Sequence, residues 1–175
     1  MQNPRFTALA AALALAISPT VALAGAPKGN IVAAAMQSPD LKTLVAAVKA
    51  AKLVDTLAGK GPFTVFAPTD AAFAKLPAGT VDTLLKPENR ATLQAVLTYH
   101  VVAGKVSAAQ LVAAINANGG AARLTTVQGG TLTASLSGGN VLLTDAKGGT
   151  ATVVTADLMQ SNGVIHVTDA VSLPM

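Results

Sequence analysis

The chain has 175 residues, 51% of them hydrophobic, and carries a formal net charge of +4 at neutral pH with no cysteine. The absence of cysteine excludes disulfides, thiolate metal ligands and a cysteine nucleophile. One tyrosine, four phenylalanines and scattered lysines without a basic run argue against nucleic-acid binding, whereas weak attraction of this mildly basic chain to an anionic polysaccharide or cell surface stays open.

The first 24 residues have the pattern of a secretory signal peptide. Arg5 precedes an apolar run over residues 8–17, Ser18-Pro19 interrupts the run, and Ala22-Leu23-Ala24 supplies small residues for cleavage near Ala24. The run is short for a membrane anchor, which is the alternative interpretation. We therefore expect one mature domain over residues 25–175, secreted or periplasmic, with no transmembrane segment.

The first part of the mature sequence predicts helices around a single strand. Ser38-Pro39-Asp40 combines a cap, a proline and an acid at a helix start, and the apolar residues that follow have helical spacing. A short helix is expected before Gly59, a second after the cap Thr69, and another turn of helix over 80–86. The run 63–66 is β-prone and lies between prolines, which is typical of a strand.

A longer helix is predicted from Pro87, with Leu93, Val96 and Leu97 on one face. It leads into residues 99–102, whose β-branched and aromatic content favours a strand. Ser107 is predicted to cap one more helix, which ends before Gly119 and Gly120.

After Gly120 the apolar period changes from helical to alternating. Gly-Gly pairs at 129–130, 138–139 and 148–149 separate short alternating runs, which is typical of tight hairpins. Closing strands are expected at 163–167 and 171–173. The sequence therefore predicts an α+β domain whose helices pack on an antiparallel sheet or sandwich.

The chain offers few groups for catalysis or metal binding. It contains two histidines, one glutamate and seven aspartates, and His100 and His166 belong to no metal-binding spacing. No nucleophile elbow or phosphate-binding loop is present in the sequence. We predict no catalytic residue, no cofactor and no metal site.

Three segments together resemble the fasciclin (FAS1) domain family: residues 63–73, the stretch 97–102 that contains Tyr99-His100, and residues 161–169 running on to Pro174. The similarity spans roughly Lys28 to Pro174. It implies a wedge-shaped β-sandwich with helices packed on one side, a cell-envelope or extracellular location, and a role in adhesion. The family-motif residues to which we assign structural roles are Phe63, Phe66, Pro68, Thr69, Asp70, Phe73, Asn162, Gly163, His166 and Asp169.

Tyr99 and His100 are the candidate partner-binding residues, because the resemblance connects this region with binding to cell surfaces. The alternative is that Tyr99 anchors the core through its hydroxyl and that His100 bonds to a carboxylate. Asp70 is the expected partner of His100, and such a pair would raise the pKa of the histidine.

The function expected from these observations is adhesion or interaction with a cell-surface or matrix protein or a polysaccharide. The alternative is a carrier of a small apolar ligand such as a pigment or lipid, which the high apolar fraction favours and the scarcity of aromatic residues disfavours. A single domain could bridge two surfaces if it oligomerises.

Overall fold

The computed structural model describes residues 29–174, and the predicted signal peptide lies outside this part of the chain. The α-helices of the described residues are α1 (Ile31–Gln37), α2 (Lys42–Ala50), α3 (Val54–Ala58), α4 (Asp70–Ala74), α5 (Thr80–Leu85), α6 (Arg90–Tyr99) and α7 (Ala108–Ala117). The strands are β1 (Phe63–Pro68), β2 (Val101–Ala103), β3 (Ala121–Thr125), β4 (Thr131–Ser137), β5 (Asn140–Thr144), β6 (Thr150–Gln160) and β7 (Gly163–Thr168). Short 3-10 turns at Pro39–Leu41 and Pro87–Asn89 lead into α2 and α6.

Side-chain caps mark the start of α1, α4 and α7, but the predicted cap at Ser38 is wrong, because its hydroxyl donates to the carbonyl of Ala34 instead. The Thr69 hydroxyl accepts a hydrogen bond from the Ala72 amide at the start of α4, as predicted. Ser107 and Gln110 form a reciprocal capping box at the start of α7, which confirms the second predicted cap. Each pairing satisfies amide groups that the first helical turn leaves without a partner.

All seven strands belong to one sheet with the order β2-β1-β7-β6-β5-β4-β3. The neighbours are antiparallel except for β1 and β7, which run parallel with Phe63 opposite Gly163. The predicted meander is therefore confirmed from β3 onwards. The antiparallel prediction is wrong for the pair of β1 and β7, because these strands come from distant parts of the chain, beyond the reach of any hairpin signal.

Strand β6 connects the two halves of the sandwich. Its first residues pair with β5, and the remainder pairs with β7 through a register that shifts twice between Val153 and Leu158. Such irregularities bend a strand and increase its twist. At the opposite edge of the sheet, Val102 of β2 bridges to Thr126 just after β3, so the sheet nearly closes on itself.

Two apolar cores result, one on each face of β1. The helix-side core lies between helices α1 to α6 and the outer faces of β1 and β7, where Val65 and Ile165 are buried. The sandwich core lies between the sheet halves and contains Phe66 and Leu132, with Ile115 contributed by α7. The predicted wedge-shaped α+β sandwich with helices on one side is confirmed, and α7 additionally packs on β3 and β4.

Two predicted strand assignments are wrong. Tyr99 is the last residue of α6 and His100 is its C-cap, so the strand begins at Val101. Residues 90–100 contain no glycine or proline that would end the helix. Helix α6 therefore continues further than the β-prone composition of residues 99–102 suggests. The segment 171–173 has no regular secondary structure, because side chains of distant segments bind its backbone amides.

Among residues 29–174, no single helix is long and apolar enough to cross a membrane. Helix α1 and the adjoining segment Pro39–Ala50 reach the required length and composition together, but a bend of 106° separates them.

Candidate functional site

Tyr99 connects three separate elements from inside the sandwich. Its side chain is 1% exposed. The hydroxyl donates to the carbonyl of Thr131 at 2.7 Å and accepts from the amide of Ala146 at 3.1 Å. Burial raises the pKa of Tyr99; the Ala146 hydrogen bond opposes this effect, and the charge of Asp145 adds to it. The hydroxyl therefore links α6 to β4 and to the turn between β5 and β6.

His100 is buried with both ring nitrogens occupied by backbone groups. Nε2 lies 3.0 Å from the amide nitrogen of Ser172, and Nδ1 lies 2.7 Å from the carbonyl oxygen of Val96. Because an amide can only donate, Nε2 accepts, and Nδ1 carries the proton that is donated to Val96. Burial lowers the pKa of His100, against smaller raising contributions from the Val96 hydrogen bond and the charge of Asp145.

The expected pairing of His100 with Asp70 is wrong, and so is the expected rise in the pKa of His100. Asp70 instead accepts a hydrogen bond from the amide of Thr43 at 2.7 Å, at the start of α2. Sequence reasoning placed His100 on a strand with a carboxylate beside it. As the cap of α6, its ring reaches back to a carbonyl of its own helix, which leaves a neutral imidazole.

The side chains of Tyr99 and His100 are buried below the protein surface in this conformation and support the residues that are exposed there. Tyr99 is 1% exposed and His100 is 3% exposed, so a partner reaching this region first meets the residues above them. Partner binding through Tyr99 and His100 stays a prediction. Of the two, Tyr99 borders the groove described next, whereas His100 lies in the lining of a separate apolar cavity.

Asp145 belongs to the same network, and sequence reasoning missed it. Its Oδ1 accepts from the amides of Lys147 and Gly149 at 2.9 and 2.7 Å, and its Oδ2 accepts from the amide of Leu173 at 2.9 Å. An aspartate two residues before a lysine and a Gly-Gly pair is a turn signal that could have identified the first two contacts. The contact with Leu173 has no local signal.

An open groove, here called the Arg123 groove, lies beside Tyr99 on the outer side of β3 and β4. Its volume is about 570 Å³, within the usual size range of ligand sites. Its lining mixes polar and apolar groups, and Pro174 borders one side. The polar side chains that line it are Tyr99, Arg123, Gln128, Thr131, Thr133 and Asp145.

The first family segment builds β1 and its exit. Phe66 is fully buried and stacks on the ring of His166, with 5.5 Å between the ring centroids. Pro68 ends the strand opposite Thr168, after which Thr69 caps α4 and Asp70 binds α2 as described above. Phe63 and Phe73 pack in the helix-side core.

His166 closes the sandwich core from β7. Its Nε2 lies 2.8 Å from the carbonyl oxygen of Val106, and its Nδ1 accepts from the amide of Asp157 at 3.3 Å. Asp157 has a positive φ of 58° and sits in the irregular part of β6. The histidine thus holds the bend of β6 against the segment that leads into α7.

Asn162 fastens the helices to the sheet. Its Oδ1 accepts from the amide of Ile31 at 2.9 Å, and its Nδ2 donates to the carbonyls of Leu57 and Gly59 at 2.7 and 2.9 Å. The next residue, Gly163, lies so close to β1 that a Cβ atom there would collide with the carbonyl oxygen of Phe63.

Like Asn162, Asp169 joins separate segments through its side chain, here just after the end of β7. Its Oδ1 accepts from the amide of Thr152 at 2.7 Å, and its Oδ2 lies 3.8 Å from the ammonium group of Lys75. It therefore holds the exit of β7 against the start of β6.

Residues 29–174 contain no group of three or more histidine, aspartate and glutamate side chains placed to hold a metal ion. The carboxylates of Asp70, Asp145 and Asp169 are instead used to bind backbone amides. Each of these contacts serves the fold.

An apolar cavity lies in the helix-side core, under α1. Its volume is about 30 Å³, roughly the share of liquid volume of one water molecule. Side chains from α1, α2, β1 and β7 surround it, and Lys49 and His100 are the polar members of its lining. Met36, on α1 at its edge, is 48% exposed.

Comparison with known proteins places this geometry in a family. The family model of the Fasciclin domain matches residues 39–174. Protein sll1483 of Synechocystis sp. is 50% identical over 145 residues, which cover 83% of this chain and 73% of the relative. The cell surface glycolipoprotein MPB83 of Mycobacterium bovis is 44% identical over 94 residues, covering 51% of this chain and 41% of the relative.

A solved structure shares the fold. The FAS1 domain pair of the insect cell adhesion molecule fasciclin I matches 82% of this chain with a TM-score of 0.72 and 19% identity, and the chain spans 50% of that structure's length. The family match includes all three segments that carried the resemblance in the sequence. The chain is therefore a member of the fasciclin (FAS1) domain family.

Proposed function

We propose that the chain is a secreted or periplasmic adhesion or interaction module that binds a cell-surface or matrix protein or a polysaccharide. The observation that supports it best is the Arg123 groove, which is open, polar and held by the Tyr99 and Asp145 network. An accessible surface that internal hydrogen bonds hold in place suits recognition, since a rigid surface loses little conformational entropy on binding.

The arrangement of the ionisable groups favours binding over catalysis. Both ring nitrogens of His100 and of His166 face backbone groups, so neither imidazole is free to exchange protons with a bound molecule in this conformation. General acid-base catalysis needs such a group within reach of the reacting atoms. We infer a protein without enzymatic activity.

The location is inferred from two observations. Residues 1–24 have the pattern of a signal peptide, which leaves residues 25–175 as the exported domain. The relative MPB83 is named a cell surface glycolipoprotein. Both support a place in the cell envelope or outside the cell, where an adhesion module would meet its partner.

Binding to isolated envelope tests the proposed adhesion. The labelled mature protein is incubated with envelope fragments of its own cells, and retention is measured with and without an excess of unlabelled protein. We expect saturable retention that the unlabelled protein displaces. Retention that neither saturates nor responds to the competitor, or no retention from envelope or medium fractions, would contradict adhesion.

A second candidate function, transport of a small apolar ligand, rests on the apolar cavity under α1. At about 30 Å³ the cavity is far smaller than the usual ligand pocket of about 300 Å³ or more, so a ligand would have to displace α1. Native mass spectrometry of the protein isolated from its own cells separates the two functions. A reproducible added mass of small-molecule size would replace the adhesion proposal by the carrier.

A further inference from the structure

We infer that the Arg123 groove binds a carboxylate-bearing sugar unit of an acidic polysaccharide. The inference rests on the proposed adhesion function and assigns a partner chemistry to one surface. The inference depends on four features of the groove: its free polar groups, the charges in and beside it, the rigid support beneath it, and its lack of large exposed apolar side chains.

The polar side chains of the groove are free to bind a ligand. Arg123, Gln128, Thr131 and Thr133 make no side-chain hydrogen bond to any other residue within 29–174. Arg123 and Thr133 are directly opposite each other on β3 and β4, and Thr131 is two residues further along the same face. A guanidinium group beside two hydroxyls and an amide matches the carboxylate and hydroxyl groups of a uronic acid.

The groove holds one cation, Arg123, and one carboxylate, Asp145, and the exposed guanidinium is the charge that a ligand would meet first. The ion pair of the described residues joins Lys75 to Asp169, so Arg123 has no carboxylate partner there. The carboxylate of Asp145 is buried and already accepts three backbone hydrogen bonds. Lys147, which is exposed, adds a second cation in an adjoining groove that shares Gln128 and Pro174.

The groove is rigid because Tyr99 holds two of its sides. The hydroxyl of Tyr99 binds the carbonyl of Thr131 on one side and the amide of Ala146 on the other. The ring lies directly behind Gly130, where a Cβ atom would be 2.6 Å from Cε2 of Tyr99. Tyr99 is therefore a positioning residue, and its nearly buried side chain also forms part of the lining.

The lining favours a saccharide over a protein or a nucleic acid. Protein interfaces are usually centred on exposed aromatic or large apolar anchors, and the groove offers Ala146 and Pro174 at most, since Tyr99 is buried. Single-stranded nucleic acids require exposed aromatic rings for stacking. Hydroxyl, amide and guanidinium groups on a shallow surface fit a sugar chain.

The probe is an oligogalacturonate of four sugar units, with its fully methyl-esterified form as the neutral control. Binding to the mature protein is followed by amide chemical shifts in nuclear magnetic resonance spectra. We expect shift changes around residues 123, 128–133 and 145–147. The acidic probe is expected to bind at least about tenfold more tightly than the ester, because a charged hydrogen bond is roughly twice as strong as a neutral one, and added salt should weaken it.

Two substitutions of equal charge change locate the site. Arg123→Gln should weaken binding of the acidic probe by about tenfold or more, the loss expected for one charge-assisted contact. Lys60→Gln, which removes an exposed cation that lines neither this groove nor the adjoining one, should leave the affinity unchanged. Tyr99→Phe should weaken binding without altering the charge of the groove, provided that the spectra show a folded protein.

Several results would overturn the inference. The first is equal affinity for the acidic and esterified probes, and the second is an equal loss of affinity in Arg123→Gln and Lys60→Gln. The others are chemical shift changes confined to other surfaces, or tighter binding of an oligo-aspartate peptide than of the sugar. Retention of Arg123→Gln on envelope fragments at the wild-type level would reject the groove while leaving the adhesion function in place. If the wild-type protein is not retained on envelope fragments at all, the adhesion function itself is rejected.

Discussion

At the scale of single residues, His100 makes stability depend on pH. Its folded pKa lies below the ordinary value of about 6.5, because burial disfavours the charged ring. Above that value both the folded and the unfolded states carry neutral His100, and its contribution to stability is complete. As the pH falls below it, the unfolded chain takes up the proton first. The free energy of unfolding should therefore decrease, by at most about 1.4 kcal/mol per pH unit, until the pH reaches the folded pKa.

Urea unfolding between about pH 5 and about pH 8 measures this dependence, a range that brackets the ordinary histidine pKa. The control is His100→Gln, whose side chain can donate and accept but cannot titrate in this range. All other titratable groups are common to both proteins. We expect the stability difference between them to shrink as the pH falls, and a difference that stays constant over the whole range would contradict the neutral tautomer.

Asn162 shows how much one buried amide can stabilise. It donates two hydrogen bonds and accepts one, all to backbone groups of the helices and the adjoining loop. Asn162→Asp keeps the shape but replaces the donor by an oxygen facing two carbonyl oxygens. We expect unfolding free energy to fall by roughly 2–5 kcal/mol, the cost of unsatisfied buried groups and an uncompensated charge. Asn116→Asp, at an exposed position of α7, should change it by less than about 1 kcal/mol. Similar losses in the two variants would contradict this role.

At the scale of secondary structure elements, the parallel pair of β1 and β7 depends on Gly163. A Cβ atom there would meet the carbonyl oxygen of Phe63, a backbone atom that cannot rotate away. Gly163→Ala should therefore separate the strands and cost at least about 2 kcal/mol, as for other overpacked interiors. Gly148→Ala is the control: its φ is 84°, but no atom lies near the added methyl group. Its cost should stay near about 1 kcal/mol, the penalty of the left-handed conformation alone. Thermal unfolding that ranks the two variants in the opposite order would refute the close approach.

Elements that depend on neighbouring residues could be predicted from the sequence, whereas pairings between distant segments could not. The caps at Thr69 and Ser107 and the Gly-Gly hairpins were predictable, because each depends on residues within a few positions. Helix α1 was not predicted, since its cap Asn30 precedes a short alanine-rich stretch with little amphipathic pattern. The pairing of β1 with β7 depends on contacts across about a hundred residues, which no local pattern encodes.

The side chains of the candidate groove could not be predicted from the sequence. The Tyr-His segment lies beside the candidate groove, and its side chains are buried supports, so partner binding through them stays a prediction. Arg123 and Thr133 had no signal in the sequence, because they become neighbours only through the register of β3 and β4. Asp145 likewise reaches Leu173 across the fold.

At the scale of the whole molecule, the C-terminal segment acts as a strap across helix and sheet. The amide of Ser172 donates to His100 at the end of α6, and the amide of Leu173 donates to Asp145 in the turn between β5 and β6. This segment has no strand hydrogen bonds of its own. Its order therefore depends on two side chains, and its opening should be cheaper than global unfolding.

Asp145→Asn tests the strap. Three backbone amides surround the carboxylate, and one of them must face the new NH₂ group, which cannot accept. The unfolding free energy should fall by about 1–3 kcal/mol, and carboxypeptidase should trim the C-terminal segment faster, because cleavage follows the population of the opened form. Asp55→Asn, at an exposed position of α3, should be trimmed at the wild-type rate. If Asp145→Asn is also trimmed at that rate, the strap is held by packing of its side chains and not by the hydrogen bond from Leu173. If trimming accelerates, the groove should lose the side that Pro174 borders as well, and the affinity for the acidic probe should fall together with the resistance to cleavage.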